Sequence, residues 1–405
     1  MGARRRAAGL AAACGLVAST LALVSPSAAG AGTPPPPPVT MYATDVAAGQ
    51  DFACAVQTDA TLACWGQNGY GQMGFGHKPY SLVGKRAFSV RGALSVATGW
   101  DHTCVVLATR QVTCLGRDSR GQLGAPSRQP DQWVEGPTID HLTSVLALTA
   151  GYQHSCALVA SHRVLCWGAD GFGQLGDGRY QDSSRPRFVL SPRGGAPLRG
   201  VTAIAAGADD TCALLADGQV WCWGLNSSGQ LGQAPPLVRV DRPRHVNVAH
   251  VVALAAGYLQ TCAVRSSGVV QCWGDNDLGQ LGVSRQLEVS PAPRVVQGVR
   301  RAIGVSAGFD HSCALLAGGH VRCWGADNEG QLGDGRTGTS FGAVTVVDIA
   351  GATSLASGYW FSCARLDSGL VRCWGLGLQG QLGVGSRRSV SAPAHDVLVR
   401  SLSSG

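Results

Sequence analysis

The sequence is poor in lysine, in charge and in catalytic signatures. Only 14% of its 405 residues are charged, and Lys78 and Lys85 are its only lysines. It holds no His-Glu-x-x-His, no phosphate-binding Walker loop and no Cys-x-x-Cys. The local signatures of zinc peptidases, nucleotide hydrolases and thiol redox enzymes are therefore missing. Catalytic groups scattered over several segments would escape such a search; the expectation is a non-enzymatic chain with no cofactor and no metal. No segment sustains a 3.6-residue apolar period, which excludes helical solenoids. No cluster of basic residues with interleaved aromatics occurs, so nucleic acid is not an expected partner.

Long apolar runs are also missing, with one exception at the N-terminus. Arg4, Arg5 and Arg6 precede an apolar stretch from Ala7 to Val24, and Ser27-Ala28-Ala29 offers a small-residue cleavage site. This reads as a signal peptide over residues 1–29, followed by a Pro-rich linker over 30–39 that contains Pro34 to Pro38. Cleavage would remove three arginines and take the formal charge from +7 to about +4, too little for an electrostatic footprint. The expectation is a secreted chain with no membrane attachment after cleavage, and a monomer.

What the sequence has in abundance is repetition. Seven segments align over their centres as Gly, four residues, Cys, nine residues, Cys-Trp-Gly, then Gly-Gln-Leu-Gly. The leading glycines are Gly49, Gly99, Gly151, Gly207, Gly257, Gly308 and Gly358, spaced by 50, 52, 56, 50, 51 and 50 residues. Two departures stand out: Leu115 replaces the tryptophan in the second copy, and Met73 replaces the leucine in the first. Within a copy, Val201 to Ala206 is a short β-compatible run, and Cys212 to Leu215 and Gln219 to Trp223 flank the turn signal Asp217-Gly218. Four short strands per fifty residues make one blade. The fold class predicted is all-β: a seven-bladed β-propeller of four-stranded antiparallel blades. It would span residues 40–405, with repeats centred on 49–74, 99–124, 151–176, 207–232, 257–282, 308–333 and 358–383.

The ends predict closure. Ser401 to Gly405 repeats the pattern of Ser354 to Gly358, and Pro393 to Val399 resembles the strand Pro243 to Val248. The C-terminal segment should complete the first or last blade and latch the ring, leaving no free sheet edge.

The unit Ala-Ala-Gly-x-x-x-x-Cys-Ala-Leu, followed by Val-x-Cys-Trp-Gly-x-Asn-x-x-Gly-Gln-Leu-Gly, resembles the regulator of chromosome condensation repeat. The likeness covers nearly the whole chain from about residue 40. It extends to secreted bacterial propellers of this repeat type that inhibit β-lactamases through one face. Two other readings stand beside a protein-binding module. One is guanine-nucleotide exchange on a small GTPase, as in the eponymous member, which a secreted chain would never meet. The other is a carbohydrate-binding or enzymatic propeller.

Fourteen of the fifteen cysteines form seven pairs in one register. Cys54 pairs with Cys64, Cys104 with Cys114, Cys156 with Cys166 and Cys212 with Cys222. Cys262 pairs with Cys272, Cys313 with Cys323 and Cys363 with Cys373. A three-residue hairpin loop, Ala216-Asp217-Gly218, makes Leu215 face Gln219 and Cys212 face Cys222. The register predicts seven cross-strand disulfides within blades. The alternative is buried free cysteine; zinc would lack further ligands at the right spacing. The repeated tryptophans (Trp65, Trp167, Trp223, Trp273, Trp324, Trp374) read as packing between blades. The polar residue at one turn position after the second cysteine (Asn68, Asp118, Asp170, Asn226, Asn276, Asp327) reads as a turn cap, and the seventh copy has Gly377 there. Asn226-Ser227-Ser228 matches a glycosylation sequon.

Where the copies differ, function has room. The loops after the leading glycines read Gln50-Asp51-Phe52, Trp100-Asp101-His102, Tyr152-Gln153-His154, Ala208-Asp209-Asp210, Tyr258-Leu259-Gln260, Phe309-Asp310-His311 and Tyr359-Trp360-Phe361. They should ring the channel on one face. Trp100, Asp101, Tyr152, Asp209, Tyr258, Phe309, Asp310, Tyr359 and Trp360 are the candidate contacts for a protein partner, in aromatic-rich, acid-spotted composition. The competing reading of the aromatics is packing. His102, His154 and His311 share one position, which favours a structural hydrogen-bonding role. The long connection Gly176 to Gly200 is a further candidate surface.

Overall fold

The computed structural model describes residues 37–76, 78–125, 134–393 and 395–400. The expected signal peptide, most of the Pro-rich linker and the tail Ser401 to Gly405 lie outside them.

Each copy of the repeat is an antiparallel sheet, its first strand at the channel and its fourth at the rim. In the fourth blade the strands are Val201–Ala206, Asp210–Leu215, Val220–Leu225 and Arg239–Val246, paired in that order. Seven such blades form the propeller, and the described residues contain strands and turns without a helix. The first strands are short and rich in alanine because all seven converge on the axis. The connection after Gly176 includes a strand: Ser183–Phe188 is the third blade's fourth strand, and Leu190 bridges Pro197 beyond it.

The hairpins take the expected form. Leu215 N–H donates to the Gln219 carbonyl at 2.9 Å, and Gly218 has φ +79°. Copies without glycine there hold Ala60, Arg110 and His162 at φ 61°, 61° and 55°, a conformation few side chains adopt. Each first cysteine thus faces its partner across the hairpin, and all seven expected pairs are disulfides. Cys54 is bonded to Cys64, Cys104 to Cys114, Cys156 to Cys166 and Cys212 to Cys222. Cys262 is bonded to Cys272, Cys313 to Cys323 and Cys363 to Cys373. Their Cα atoms are 4.0 or 4.1 Å apart. Facing residues average about 4.5 to 5.5 Å; the cysteines form the non-hydrogen-bonded pair, the closer of the two antiparallel types.

The C-terminal segment closes the ring. Val390 and Asp396 lie along the third strand of the seventh blade, through bridges Gly375–Val390 and Arg372–Asp396. Leu398–Val399 then pairs antiparallel with Val39–Thr40 and reaches Gly84 in the first blade's fourth strand. Ala43 N–H donates to the Gly369 carbonyl at 2.8 Å across the same seam. The two ends of the chain therefore share one latch.

Packing between blades follows one rule. Each of the six repeat tryptophans is fully buried, and its indole N–H donates to the carbonyl of the glutamine in the preceding blade's Gly-Gln-Leu-Gly, as in Trp223 to Gln174 at 2.9 Å. In every blade but the first, which has Ala53 there, a hydroxyl donates to the same glutamine carbonyl, as from Thr211 at 3.0 Å. The two departures from the repeat meet at a single interface. Met73 and Leu115 pack in one buried cluster with Phe75 between the first and second blades, the longer methionine and the phenylalanine filling space the missing tryptophan leaves. There Thr103 alone donates to the Gln72 carbonyl, at 2.7 Å. The turn-capping side chains act as expected: Asn226 Oδ1 accepts from Leu231 N–H at 3.0 Å, and its Nδ2 donates to Gln233 and Leu237 carbonyls. Asn226 is buried, so the sequon is not offered to solvent.

At the axis the leading glycines form a closed ring. A Cβ on any of Gly49, Gly99, Gly151, Gly207, Gly257, Gly308 or Gly358 would lie within 3.0 Å of the next ring glycine's carbonyl oxygen. None of the seven has positive φ, so close approach alone demands glycine there. Gly257→Ala should therefore cost about 3 kcal/mol or more by denaturant unfolding. Gly171→Ala, with nothing within 4 Å of the new methyl, should change stability by less than about 0.5 kcal/mol. Mass mapping without reductant should find seven local bridges and no free thiol between residues 40 and 400; free thiols throughout would contradict the disulfide assignment.

Candidate functional site

The ring glycines set what surrounds them. The residue after each glycine tops the channel mouth, the next turns outward, and the third opens the second strand pointing inward. All seven third residues, Phe52, His102, His154, Asp210, Gln260, His311 and Phe361, are fully buried.

Three of those third residues are histidines held across blade interfaces. His102 Nε2 bonds Ser155 Oγ at 2.9 Å, His154 Nε2 bonds Thr211 Oγ1 at 2.9 Å, and His311 Nε2 bonds Ser362 Oγ at 2.8 Å. The Thr211 hydroxyl already donates to the Gln174 carbonyl, so the histidine proton sits on Nε2. Burial pushes the His102 imidazole down to about 4 and His154 and His311 to about 3. All three are neutral and structural. Asp210 fills the same position in the fourth blade with neither carboxylate oxygen hydrogen-bonded. Burial raises its pKa well above the ordinary carboxylate value, helped by Asp209.

The first loop positions do come together. Trp100 and Tyr152 have ring centroids 3.6 Å apart, Tyr258 and Phe309 stack at 3.9 Å, and Phe309 and Tyr359 lie at 4.0 Å. Tyr359 touches Trp360 at 4.6 Å and reaches Trp100 at 5.5 Å, past Gln50 of the first blade. Six aromatic rings from five blades thus form one half-buried cluster over the channel, interrupted only at Ala208 in the fourth blade. The hollow at this mouth measures about 110 Å³ and is lined by Gly49, Trp100, Tyr152, Tyr258, Phe309 and Tyr359, among others. Below it the channel holds a further 260 Å³ between the first strands, with Thr98, Thr149, Ser306 and Ser357 as its hydroxyls.

Carboxylates surround this cluster. Asp101 is buried beside Arg117 at 3.6 Å; burial outweighs that distant guanidinium and lifts its pKa to about 6. Asp209 and Asp310 rise to about 6 and Asp51 also rises, in each case chiefly through burial. Their hydrogen bonds come from neutral donors. Gln174 Nε2 donates to Asp209 at 3.1 Å, Gln381 Nε2 to Asp51 at 3.3 Å, and the Trp360 side chain to Asp310.

All nine candidate residues therefore lie at one mouth of the propeller, with Asp209 beside the gap in the aromatic cluster. Sequence reasoning passed over Arg117 and Asp275. Each directly follows a Cys-x-Gly segment, and its backbone N–H donates to the carbonyl of the second loop residue of its own blade, Asp101 and Leu259 respectively. That fixed hydrogen bond brings them to the rim, where burial and Asp277 raise Asp275 to about 6. The signal was a charged residue in a column otherwise held by Gln67, Ala169, Leu225, Ala326 and Leu376. The wild-card positions of the repeat also surface here: Phe172, Leu278 and Leu378 are exposed.

A closed seven-bladed ring, its tryptophans buried between blades and its variable residues gathered at one mouth, defines a repeat propeller with a single differentiated face. The RCC1-like domain model matches residues 138–402, and the regulator of chromosome condensation (RCC1) repeat model matches residues 43–72 and 94–122. The chain belongs to the RCC1-like domain family. Curated relatives include the human E3 ubiquitin-protein ligase HERC2, 28% identical over 202 residues, which are 48% of this chain and 4% of that protein. The rat probable E3 ubiquitin-protein ligase HERC4 is 30% identical over 211 residues, 51% of this chain and 15% of that protein. The chain thus spans only a small part of the length of these relatives. Among solved structures, human WBSCR16 superposes with TM-score 0.70 at 25% identity, covering 78% of this chain and 84% of that one. Yeast RCC1 (Prp20), in a structure bound to Kap60, gives TM-score 0.73 at 19% identity, covering 90% and 86%.

The buried histidines predict a pH effect with a defined sign. A histidine whose folded pKa is depressed favours the fold above its unfolded value near 6.5 and loses that contribution as pH falls toward the folded value. His154→Gln, which copies Gln260 of the fifth blade, removes this titration. Relative to wild type the variant should gain about 2 kcal/mol between pH 7 and pH 5. Denaturant unfolding of both proteins at the two pH values measures it; a constant difference would contradict a neutral buried His154.

Proposed function

We propose that this chain is a secreted, non-enzymatic binding protein that recognises a protein partner through the aromatic mouth of its channel. The observation that carries the reading is the single cluster of Trp100, Tyr152, Tyr258, Phe309, Tyr359 and Trp360, half-exposed and rimmed by carboxylates. Large rigid rings with polar neighbours are the composition of interface hot spots. The other repeated tryptophans are buried between blades, so these rings are not needed to hold blades together.

Export is supported by the disulfides. Fourteen paired thiols suit an oxidising compartment, and the N-terminal sequence has the order of a signal peptide. A monomer agrees with a ring that closes on itself and leaves no sheet edge at the seam.

The test is affinity capture from culture medium with the mature chain as bait, beside the triple variant Trp100→Ala, Tyr258→Ala, Trp360→Ala. The variant should lose the captured protein while keeping its near-ultraviolet dichroism and melting within a few degrees of wild type. Equal capture by both proteins would overturn the reading. Loss of capture together with collapse of the fold would make the rings core. Binding to a glycan array in place of protein would favour a carbohydrate receptor instead.

A further inference from the structure

We propose that the channel mouth receives a basic side chain, arginine or lysine, from the protein partner, seated on the tyrosine rings with Asp51, Asp209 and Asp310 as its counter-ions. The proposal rests on the reading that this face binds a protein, and adds what that partner must present.

One sector of the mouth already shows the chemistry. In the second blade the chain supplies its own arginine: Arg117 sits 3.6 Å from the Asp101 carboxylate, and its guanidinium carbon lies 4.8 Å from the centre of the Tyr70 ring. A guanidinium between a carboxylate and an aromatic face gains from both. In the column that Arg117 occupies, the other blades have Gln67, Ala169, Leu225, Asp275, Ala326 and Leu376. The fifth and sixth blades keep both a carboxylate and an aromatic, Asp275 with Tyr258 and Asp310 with Phe309, but the cation is missing. Among the described residues no basic side chain forms an ion pair with Asp51, Asp209, Asp275 or Asp310.

The tyrosines are neighbours of these acids. Burial first, then Asp101, Tyr258 and Asp209, raises the Tyr152 hydroxyl pKa; burial, then Asp310, Tyr258, Asp51 and Tyr152, raises that of Tyr359. Three tyrosines and four aspartates therefore share one negative field at the axis, although the whole chain is formally positive at +7. The small Ala208, flanked along the ring by Tyr152 and Tyr258 and followed by Asp209, leaves the gap through which a side chain enters. Partly desolvated carboxylates without cations are costly in the free protein, and an incoming ammonium or guanidinium offsets that cost.

The test uses a fluorescein-labelled tetra-arginine peptide, followed by anisotropy at low salt, with the citrulline tetrapeptide as its neutral counterpart. Wild type should bind the arginine peptide at least tenfold more tightly than the citrulline one. Asp51→Asn, Asp209→Asn and Asp310→Asn together should weaken it at least tenfold. Asp217→Asn with Asp367→Asn, in hairpins at the opposite end of the blades, should leave it unchanged. Lowering the pH from 7.5 to 5.5 should weaken binding severalfold as Asp101, Asp209, Asp275 and Asp310, each lifted to about 6 chiefly by burial, protonate; Asp51, Arg117, Tyr152, Tyr258 and Tyr359 are the other ionisable groups at the mouth.

Equal binding of the citrulline peptide, an unaffected triple variant, or equal weakening by the control pair would overturn the proposal; the last would mean diffuse attraction without a site. Should the triple variant fail to fold, Asp209→Asn alone and the pH series on wild type decide. A captured partner lost by the aromatic variant but kept by the aspartate variant would sink the cationic anchor and leave the binding reading standing.

Discussion

The close passage of seven glycines around the axis is the constraint on which the structure depends. Each ring glycine lies so near the carbonyl of the next that no side chain fits between them. Blades can then converge until their alanine-rich first strands line a narrow channel. Convergence in turn brings the residue after each glycine close to its counterparts in neighbouring blades. The aromatic cluster is a consequence: Tyr258, Phe309 and Tyr359 stack because the backbone beneath them is drawn tight.

The same convergence separates scaffold from surface. One side chain per unit, the tryptophan, fills the seam with the preceding blade, where its indole N–H satisfies a glutamine carbonyl. A further position, the third after the glycine, fills the seam with the following blade, in three blades by a histidine bonded to the facing hydroxyl. Phe361 sits there where the facing residue is Ala53, and the pair is apolar on both sides. Seams thus vary in chemistry while keeping their volume filled, as at Met73 and Leu115. What is left for recognition is a pair of loop positions per blade, projecting at the mouth around an axis lined by glycine.

The electrostatics of that mouth follow from geometry more than from composition. Asp51, Asp209 and Asp310 are ordinary carboxylates in sequence, and nothing about their neighbours in the chain marks them as perturbed. Half-burial beside aromatic rings, with hydrogen bonds only from Gln174, Gln381 and Trp360, is what holds their protons more tightly. Arg117 relieves only Asp101, and only in part.

Much of this was legible in the sequence. Identical spacing of glycine, cysteine and tryptophan in seven copies determined the blade count, the hairpin register and the disulfide partners, because a strand's pairing follows its turn residue by residue. It also located the variable loop positions, since equivalent residues of a repeat share one place in the fold. What only the tertiary structure decided is how those loops meet. That Trp100 reaches Tyr359 past Gln50 and that the two repeat-breaking residues compensate each other are contacts between blades; that Arg117 answers Asp101 and that Asp275 belongs to the rim are loop contacts within a blade that strand pairing does not specify. Sequence spacing carries the register within a blade; the distance between blades is set by how closely seven backbones can approach, which the glycine ring fixes only once it has closed.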